Sequence, residues 1–297
     1  MKEKIFIRTF GCSLNQSDSE QMAGLLTKAG FTITQKIEDA DLIIFNSCTV
    51  KSPAENALFK ELKRWKDKHL VIAGCIPQTD KNKLKEYSLI GTKNFHQITE
   101  VVQETLKGNI IQLLTLRGNP ELTLPHIRKN KNIGIIPISR GCLGSCTFCK
   151  TKAARGNLYS YHPQEIVSLA KEYLADGVNE LWLTSQDCGC YGFDIKTDLA
   201  ELLKRLTKNA QYCAKYRAFA VREPRTISIL ETEHQPKDYC DEKIVYLGII
   251  MFYLLNFLSK KQWAAACQKS RISEHVKKLL FLEHYQESWI LEAPKNF

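Results

Sequence analysis

Over roughly the first hundred positions, the apolar residues fall into short runs separated by stretches of helical periodicity. Residues 17–29 repeat apolar side chains at helical spacing, and Gly30 stands where such a helix would end. A second helix is predicted from Pro53 to about Asp67. Three apolar runs around these helices are strand-like: KIFIRTF, DLIIFNS and HLVIAG. Alternating strands and helices predict a doubly wound, parallel-sheet α/β domain.

A second unit with the same alternation follows a polar, basic linker. GIIPIS and ELWLTS are strand-like, and Pro163 begins a helix that Gly177 ends. A further helix is predicted over residues 198–208. This order is the opening of a β/α barrel, whose chemistry lies at the carboxyl ends of its strands. The predicted divisions are an N-terminal domain, the linker, a partial barrel and an unassigned tail: residues 1–116, 117–132, 133–208 and 209–297.

The tail, residues 209–297, does not continue this pattern. Gly248 is its single glycine, whereas repeated tight connections between strands and helices usually need several. We interpret the tail as unrelated to the barrel, the product of truncation or of an altered reading frame. Within it, residues 244–258 are strongly apolar but shorter than the roughly 20 residues that cross a bilayer. A buried helix is therefore favoured there over a membrane span.

Length and cysteine content narrow the class of protein. A chain of 297 residues buries enough apolar surface to fold without disulfides, so its eleven cysteines need another explanation. The N-terminus MKEKIFIRTF has no apolar stretch long enough for a secretory signal. These features predict a reducing, cytoplasmic location, where clustered cysteines bind metals or carry redox chemistry. The alternative is the endoplasmic reticulum membrane, if the chain is eukaryotic and residues 244–258 span it.

Positive charge is concentrated in the linker and the segment after it. The whole chain has a formal net charge of +10. Between residues 117 and 155, eight basic residues stand against one acid, Glu121, which gives +7. The basic residues are Arg117, Arg128, Lys129, Lys131, Arg140, Lys150, Lys152 and Arg155. Such a segment suits the phosphates of a nucleic acid, and a solvated linker is the alternative.

Each of the three predicted strands of the N-terminal domain is followed at once by a cysteine. These residues are Cys12, Cys48 and Cys75. Parallel strands bring their carboxyl ends to one edge of the sheet, where open α/β sheets hold ligands. The alternative is three buried thiols, because free cysteine is among the most buried residue types. Their equivalent positions favour a ligand site.

A second group of three cysteines lies in the loop GCLGSCTFCK, at Cys142, Cys146 and Cys149. Structural zinc normally takes four protein ligands, and only Cys188 and Cys190 could complete the set. Three thiolates can instead hold a 4Fe-4S cluster and leave one iron free for a small chelating ligand. The spacing therefore favours a cluster with an open coordination position.

These motifs resemble a known family. CLGSCTFC is similar to the cluster motif of radical S-adenosylmethionine enzymes. Together with the other sequence motifs, it makes the chain resemble the tRNA methylthiotransferases, and most closely the archaeal and eukaryotic branch that acts on threonylcarbamoyladenosine. These motifs are FGCSLNQSDSE, FNSCTVKSPAE, AGC, IGIIPISRGCLGSCTFCKTKAARGNLYSY, ELWLTSQD and YGFD. The resemblance covers roughly residues 4–208 and implies a partial radical S-adenosylmethionine barrel.

The resemblance implies two 4Fe-4S clusters, one in each cysteine group, with S-adenosylmethionine bound at the second. The radical made there would activate C2 of the modified adenosine beside the anticodon, and the first cluster would carry the sulfur. The implied partners are tRNA and an electron donor such as a flavodoxin or ferredoxin; a membrane is not favoured. Alternatives are action on isopentenyladenosine or a ribosomal protein, or a non-catalytic iron-sulfur or zinc module.

Five further residues are candidates for binding the cofactor. Phe148 lies inside the cysteine loop, where the superfamily often places an aromatic ring against adenine, and loop packing is the alternative. Arg155 would contact a carboxylate or phosphate, or be solvated. Ser185, Gln186 and Asp187 close the second barrel strand on the active face, or cap a helix.

Five remaining residues have simpler interpretations. Asn15 and Asp18 match the family's words and could equally begin a helix. Cys188 and Cys190 fall where the family has residues that are not ligands, so we interpret them as incidental thiols. His162 precedes Pro163 and is a helix-entry residue. With so little of the barrel recognisable, we expect cluster binding to survive better than turnover.

Overall fold

The computed structural model divides the chain into two compact units, and the residues that it describes all lie in the first, residues 1–220 and 233–250. The described residues are 2–49, 52–144, 147, 149–210 and 244–249, and for 52, 53, 207–210 and 244–249 only the backbone is described.

The N-terminal half is a parallel sheet with helices on both faces. Its strands are β1 (Lys4–Thr9), β2 (Thr32–Ile33), β3 (Leu42–Ser47), β4 (His69–Gly74), β5 (Ser88–Gly91) and β6 (Gln112–Leu113). Its helices are α1 (Ser13–Lys28), α2 (Ser52–Arg64), α3 (Cys75–Asp80) and α4 (Ile98–Leu106), with short 3₁₀ turns at Lys81–Leu84 and Phe95–Gln97. The strand order is β2-β1-β3-β4-β5-β6, and every pairing is parallel. The doubly wound domain predicted from sequence is confirmed.

Alternation along β3 explains why helices cover both faces. Leu42 and Ile44 pack in one core with residues of α1 and α4. Ile43 and Phe45 pack in the other core, which includes residues of α2. Successive strand residues point to opposite faces, so a fully apolar central strand requires a layer of helices on each side. This arrangement leaves the carboxyl edge of the sheet for polar residues and cysteines.

The second half contains a short parallel sheet. The strands of this half are β7 (Ile133–Pro137), β8 (Ser139–Arg140), β9 (Tyr159–Ser160), β10 (Glu180–Ser185) and β11 (Ile244–Ile249). Its helices are α5 (Lys150–Arg155), α6 (Pro163–Ala175) and α7 (Leu199–Ala210), with a 3₁₀ turn at Cys188–Cys190. The sheet order is β11-β10-β7, all parallel, while β8 and β9 form an antiparallel pair.

The helix predicted over residues 244–258 is wrong for its first part. Ile244–Ile249 is the strand β11, which pairs in parallel with the whole of β10. Residues 250–258 lie outside the described residues. A short apolar run suits a buried parallel strand as well as a helix, and periodicity does not separate the two. None of the helices in the described ranges is long and apolar enough to cross a membrane.

The linker is packed against helix α1. The backbone N–H of Ile127 donates to the Glu20 carbonyl at 2.9 Å, and the Gln21 side chain donates to the Leu122 carbonyl at 3.1 Å. Pro125 lies so close to Gly24 that a Cβ there would collide with the Pro125 carbonyl. The predicted linker is therefore a segment that packs on α1 as it connects the two halves.

Candidate functional site

The first cysteine group lies at the carboxyl edge of the N-terminal sheet, as the sequence predicts. Cys12 follows β1, Cys48 follows β3, and Cys75 is the first residue of α3, directly after β4. Cys48 and Cys75 are buried, and Cys12 is partly exposed. Gly11 has φ +104°, and a Cβ on it would lie 2.8 Å from Cys48 Sγ. Glycine thus allows the Cys12 loop to approach Cys48 closely.

A hydrogen-bond network holds the three strand ends together. Asn15 Nδ2 donates to the carbonyls of Phe10 at 3.1 Å and Ser47 at 2.8 Å. Ser47 Oγ donates to the Ala73 carbonyl at 2.6 Å and accepts from the Ile76 N–H at 3.3 Å. Asn15, predicted either to match the family or to begin a helix, therefore ties β1 to β3, while Ser47 ties β3 to β4.

The environment of Cys12 favours the neutral thiol when no metal is bound. Burial raises the pKa of the Cys12 thiol, and the nearby Arg155 charge and the Asn15 hydrogen bond offset part of that effect. Negative charge at Cys75 and Asp18 raises the pKa further. A cation that binds all three sulfurs would stabilise their thiolates and reverse this preference.

The second cysteine group lies in the loop between β8 and α5. Cys142 Sγ accepts from the Gly144 N–H at 3.3 Å, and Cys149 caps α5 by accepting from the Lys152 N–H at 3.4 Å. Cys146 and Phe148 lie outside the described residues. The Lys152 ammonium donates to the Cys142 carbonyl. The structure thus describes how two of the three predicted ligands are held.

The residues after β10 support this loop. Gln186 Oε1 accepts from the Gly141 N–H at 2.6 Å, immediately before Cys142. Ser185 Oγ donates to Cys188 Sγ at 3.2 Å. Asp187 Oδ1 accepts from the Gly189 N–H at 3.0 Å, so it caps a 3₁₀ turn. Gln186 therefore orients the cysteine loop. Asp187 caps a turn, which is the alternative to cofactor binding that the sequence analysis gives for it.

Sequence reasoning missed a contact between Cys190 and Cys142. A hydrogen bond from the Cys190 thiol is the largest influence on Cys142 and lowers the pKa of Cys142 to about 6. Cys190 Sγ also lies 3.1 Å from the Asp187 carbonyl. Cys188 is fully buried, and burial raises its pKa to about 12. The spacing to Cys190 was visible in sequence, but only the 3₁₀ turn places that thiol against the loop.

A buried ion-pair network joins the two halves. Asp18 on α1 accepts from Arg140 at 2.9 Å through Oδ1 and from Arg155 at 2.8 Å through Oδ2. Arg155 also donates to Asn15 Oδ1 at 2.7 Å. Only 2–3% of each charged side chain is exposed. Arg155 was predicted to contact a carboxylate or phosphate, and in the structure the carboxylate is that of Asp18.

Arg155 places a positive charge beside the first cysteine group. Burial by itself lowers the pKa of the Arg155 guanidinium, but negative charge at Asp18, Cys75 and Cys12 outweighs burial and raises it. Arg155 is the last residue of α5, and that helix begins directly after Cys149. One short helix therefore connects the two cysteine groups.

Further contacts fix α5 against the edge of the N-terminal sheet. Thr92 Oγ1 donates to the Ala154 carbonyl at 2.6 Å, and Lys150 pairs with Asp80 at 3.1 Å. A hydrogen bond of 2.7 Å also joins Ser13 Oγ and Thr184 Oγ1. The carboxyl edges of the two sheets therefore face each other, with a cysteine group at each.

Both groups of candidate ligands consist of cysteines. Within the described ranges, no three histidine, cysteine or acidic side chains converge closely enough to hold one metal ion. The ligands of an iron-sulfur cluster bind different iron atoms, so they need not converge on one point. Thiolates are also the ligands that iron-sulfur clusters prefer. The residues present fit the clusters that the resemblance implies.

The basic segment contributes fewer free charges than its sequence suggests. Arg140 and Arg155 are buried on Asp18, and Lys150 pairs with Asp80. Arg128 pairs with Asp176 and lies over the ring of Tyr173. The exposed basic residues of this segment without an ion pair to a described residue are Arg117, Lys129 and Lys131. The hypothesis of a phosphate-binding segment therefore narrows to these three.

Comparison with known proteins gives two family matches. Residues 4–91 match the family described as Uncharacterized protein family UPF0004, and residues 136–245 match the Radical SAM superfamily. The second match extends beyond residue 208, where the resemblance of the motifs ends, and reaches β11.

Curated relatives share one name. The Mus musculus threonylcarbamoyladenosine tRNA methylthiotransferase is 46% identical over 240 residues, which is 77% of this chain and 42% of that protein. The Homo sapiens protein of the same name is 45% identical over the same shares. The probable threonylcarbamoyladenosine tRNA methylthiotransferase of Pyrococcus abyssi is 36% identical over 69% of this chain and 50% of that one. The chain thus spans half or less of the length of these relatives.

Among solved structures, this chain is similar to the radical S-adenosylmethionine methyltransferase TsrM from Kitasatospora setae, with cobalamin and a [4Fe-4S] cluster bound. The TM-score is 0.47 and the identity 12%, over 77% of this chain and 56% of that chain.

Proposed function

Because this chain belongs, through residues 4–91 and 136–245, to the radical S-adenosylmethionine family of tRNA methylthiotransferases, we propose that it takes part in methylthiolation of threonylcarbamoyladenosine in tRNA. The observation that carries the proposal is the single helix α5, which begins beside Cys149 and ends with Arg155 at the first cysteine group. Sulfur transfer needs a sulfur carrier and a radical source within reach of the same base, and this helix holds the two cysteine groups together.

Two sets of thiols would hold the two clusters. Cys142, Cys146 and Cys149 would bind the cluster that also takes S-adenosylmethionine, and Cys12, Cys48 and Cys75 would bind the second cluster. When bound, these groups supply the radical and the sulfur, while the protein supplies position, charge and exclusion of water.

The chain's own residues have defined tasks in this proposal. Arg155 stabilises negative charge on the Cys12 and Cys75 sulfurs, because its guanidinium is buried beside them. Gln186 holds the start of the second cysteine loop through the Gly141 N–H. Asn15 and Ser47 keep the strand ends in register, so the sulfurs of the first group stay at one edge. These contacts prepare the site before any cofactor binds.

Counting clusters tests the ligand assignment. The anaerobically reconstituted protein is expected to hold two 4Fe-4S clusters by iron and sulfide analysis. Replacing Cys142, Cys146 and Cys149 by alanine should leave one cluster, and so should replacing Cys12, Cys48 and Cys75. Cys188→Ala is the matched control and should keep both. Zinc in place of iron, or loss of both clusters from either triple variant, would contradict the assignment.

A second measurement tests the reaction and its substrate. Reduction in the presence of S-adenosylmethionine should yield 5'-deoxyadenosine, and nucleoside mass spectrometry should locate the methylthio group on threonylcarbamoyladenosine. If S-adenosylmethionine stays intact, the protein binds clusters but does not catalyse this reaction. A methylthio group on isopentenyladenosine, or on a ribosomal protein with tRNA untouched, would assign a different substrate.

A further inference from the structure

Lys93 is a buried lysine that the site described so far does not use. It follows β5 at the carboxyl edge of the N-terminal sheet, and only 8% of it is exposed. Lysine is almost never buried without a partner, because its ammonium loses hydration. Within the described part of the chain, no carboxylate or hydrogen-bond acceptor lies within bonding distance of the Lys93 ammonium. A negatively charged group that bound beside this ammonium would therefore stabilise it.

The neighbours of Lys93 are also positive. Lys93 lies within electrostatic reach of Arg140, and burial followed by the Arg140 charge lowers the Lys93 pKa. Arg140 shares the carboxylate of Asp18 with Arg155, and among the described residues no other acid pairs with either arginine. One terminal nitrogen of Arg140, Nη2, is buried with no acceptor among the described residues. The one carboxylate is therefore shared by two arginines, and the Lys93 ammonium beside Arg140 adds a further positive charge.

Lys93 faces the second half of the site. A Cβ added to Gly156 would lie 3.6 Å from both Cε and Nζ of Lys93. Gly156 follows Arg155 at the end of α5, and its φ of +77° favours glycine. The lysine head therefore lies beside the end of the helix that connects the two cysteine groups.

This position favours a group on the base over a phosphate. Backbone phosphates of an RNA remain near the protein surface, where Arg117, Lys129 and Lys131 are exposed. A base that enters between the two sheet edges brings only its own substituents. On threonylcarbamoyladenosine the threonyl group ends in a carboxylate, whereas an isopentenyl group is neutral.

We propose that Lys93, with Arg140 behind it, binds the threonyl carboxylate of the substrate base and so selects threonylcarbamoyladenosine over bases with neutral substituents. This inference rests on the proposed function. A charge-assisted hydrogen bond in a site of low dielectric is among the stronger polar contacts. The carboxylate would also provide the counter-ion that the buried ammonium lacks.

The test compares three synthetic anticodon stem-loops on the reconstituted full chain. One carries threonylcarbamoyladenosine, one carries its methyl ester, and one carries unmodified adenosine. The ester removes the negative charge and keeps the rest of the substituent. The unaltered protein is expected to bind the carboxylate form at least about tenfold more tightly than the ester.

Variants of Lys93 then test whether this residue causes the preference for the carboxylate form over the ester. Lys93→Gln should bring the ratio of the two affinities close to one, and Lys93→Arg should retain a preference for the carboxylate. Lys85→Gln is the matched control, because Lys85 is an exposed lysine three residues before β5, and it should keep the original ratio. Lys93→Gln should also raise the melting temperature, because it removes an unpaired buried charge; a purely structural lysine would give the opposite shift.

The outcomes separate this inference from the proposed function. A Lys93→Gln protein that still prefers the carboxylate form overturns the inference alone. Loss of S-adenosylmethionine affinity in Lys93→Gln, measured by equilibrium dialysis, would assign the lysine to the carboxylate of that cofactor and also overturn it. If the unaltered chain binds none of the three stem-loops, the proposed function fails and the inference fails with it.

Discussion

At the scale of single residues, Asp18 holds the two buried arginines of the second half. Its two carboxylate oxygens are divided between Arg140 and Arg155, and all three side chains are buried. Burying three charges is unfavourable unless each is paired, so the network depends on the one acid. From sequence, Asp18 is predicted only to match a family motif or to begin a helix, and its ion pairs are not predicted.

Asp18→Asn is expected to destabilise the protein by about 3–5 kcal/mol, because two buried guanidinium groups would lose their counter-ion. Urea unfolding of the full chain, followed by circular dichroism, measures this change. Asp39→Asn removes the same charge at an exposed position and should change stability by less than about 0.5 kcal/mol. Equal effects of the two substitutions would show that the ion pairs contribute nothing specific.

At the scale of elements, helix α1 is the platform for the linker. The linker hydrogen-bonds to Glu20 and Gln21, and Pro125 covers Gly24. A buried glycine inside a helix lowers intrinsic helix stability, so its presence needs a reason in packing. Here the reason is the close approach of the Pro125 backbone.

Gly24→Ala is expected to destabilise the protein although alanine favours helices by about 1 kcal/mol. The new Cβ would collide with the Pro125 carbonyl, and backbone cannot move aside as a flexible side chain can. Release of the linker should also speed tryptic cleavage after Lys129 and Lys131. Thr27→Ala, on the exposed side of the same helix, is the control and should leave cleavage unchanged. A more stable Gly24→Ala protein would contradict the packing described here.

Elements were predictable where their pattern was long or flanked by clear signals. The strands ending before Cys12, Cys48 and Cys75 lie where the sequence predicts, because each contains a compact apolar run and the two central ones, β3 and β4, are buried along nearly their whole length. The strand at Ile244–Ile249 was predicted as a helix, since a short apolar run suits both structures. Its pairing with β10 is a contact between distant residues, and periodicity contains no information about it.

The candidate site was predictable only in its donor atoms. Strand-end positions brought the first cysteine group to one sheet edge. In contrast, the contact of Cys190 with Cys142 and the isolation of Lys93 depend on turns and on the packing of α5. Charge counting also overstated the basic segment, because sequence does not distinguish an arginine buried on Asp18 from one exposed to solvent.

At the scale of the whole molecule, the contribution of residues 117–155 to RNA binding should depend on few charges. Arg117, Lys129 and Lys131 are exposed, whereas most of the other basic residues between 117 and 155 have internal partners. If these three neutralise phosphates, the logarithm of the affinity should fall with the logarithm of salt concentration with a slope of about −2 to −3. A slope near −6 would show that more basic residues than these three contact the RNA.

A charge-matched pair of variants locates this contact. Replacing Arg117, Lys129 and Lys131 by glutamine should remove most of the salt dependence, measured with an unmodified stem-loop. Replacing the exposed Lys60, Lys63 and Lys66 changes the net charge equally but alters the surface near α2. That control should keep the slope. If both variants lose it equally, net charge and not a defined surface attracts the RNA.

The shared carboxylate of Asp18 has a consequence for synthesis of the chain on the ribosome. Arg140 and Arg155 are translated 122 and 137 residues after Asp18. All six strands of the first sheet are made before either arginine, so Asp18 has neither of its two arginine partners while that sheet is being synthesised. The N-terminal sheet can therefore take its shape early, but it gains its full stability only when the second cysteine loop has been made.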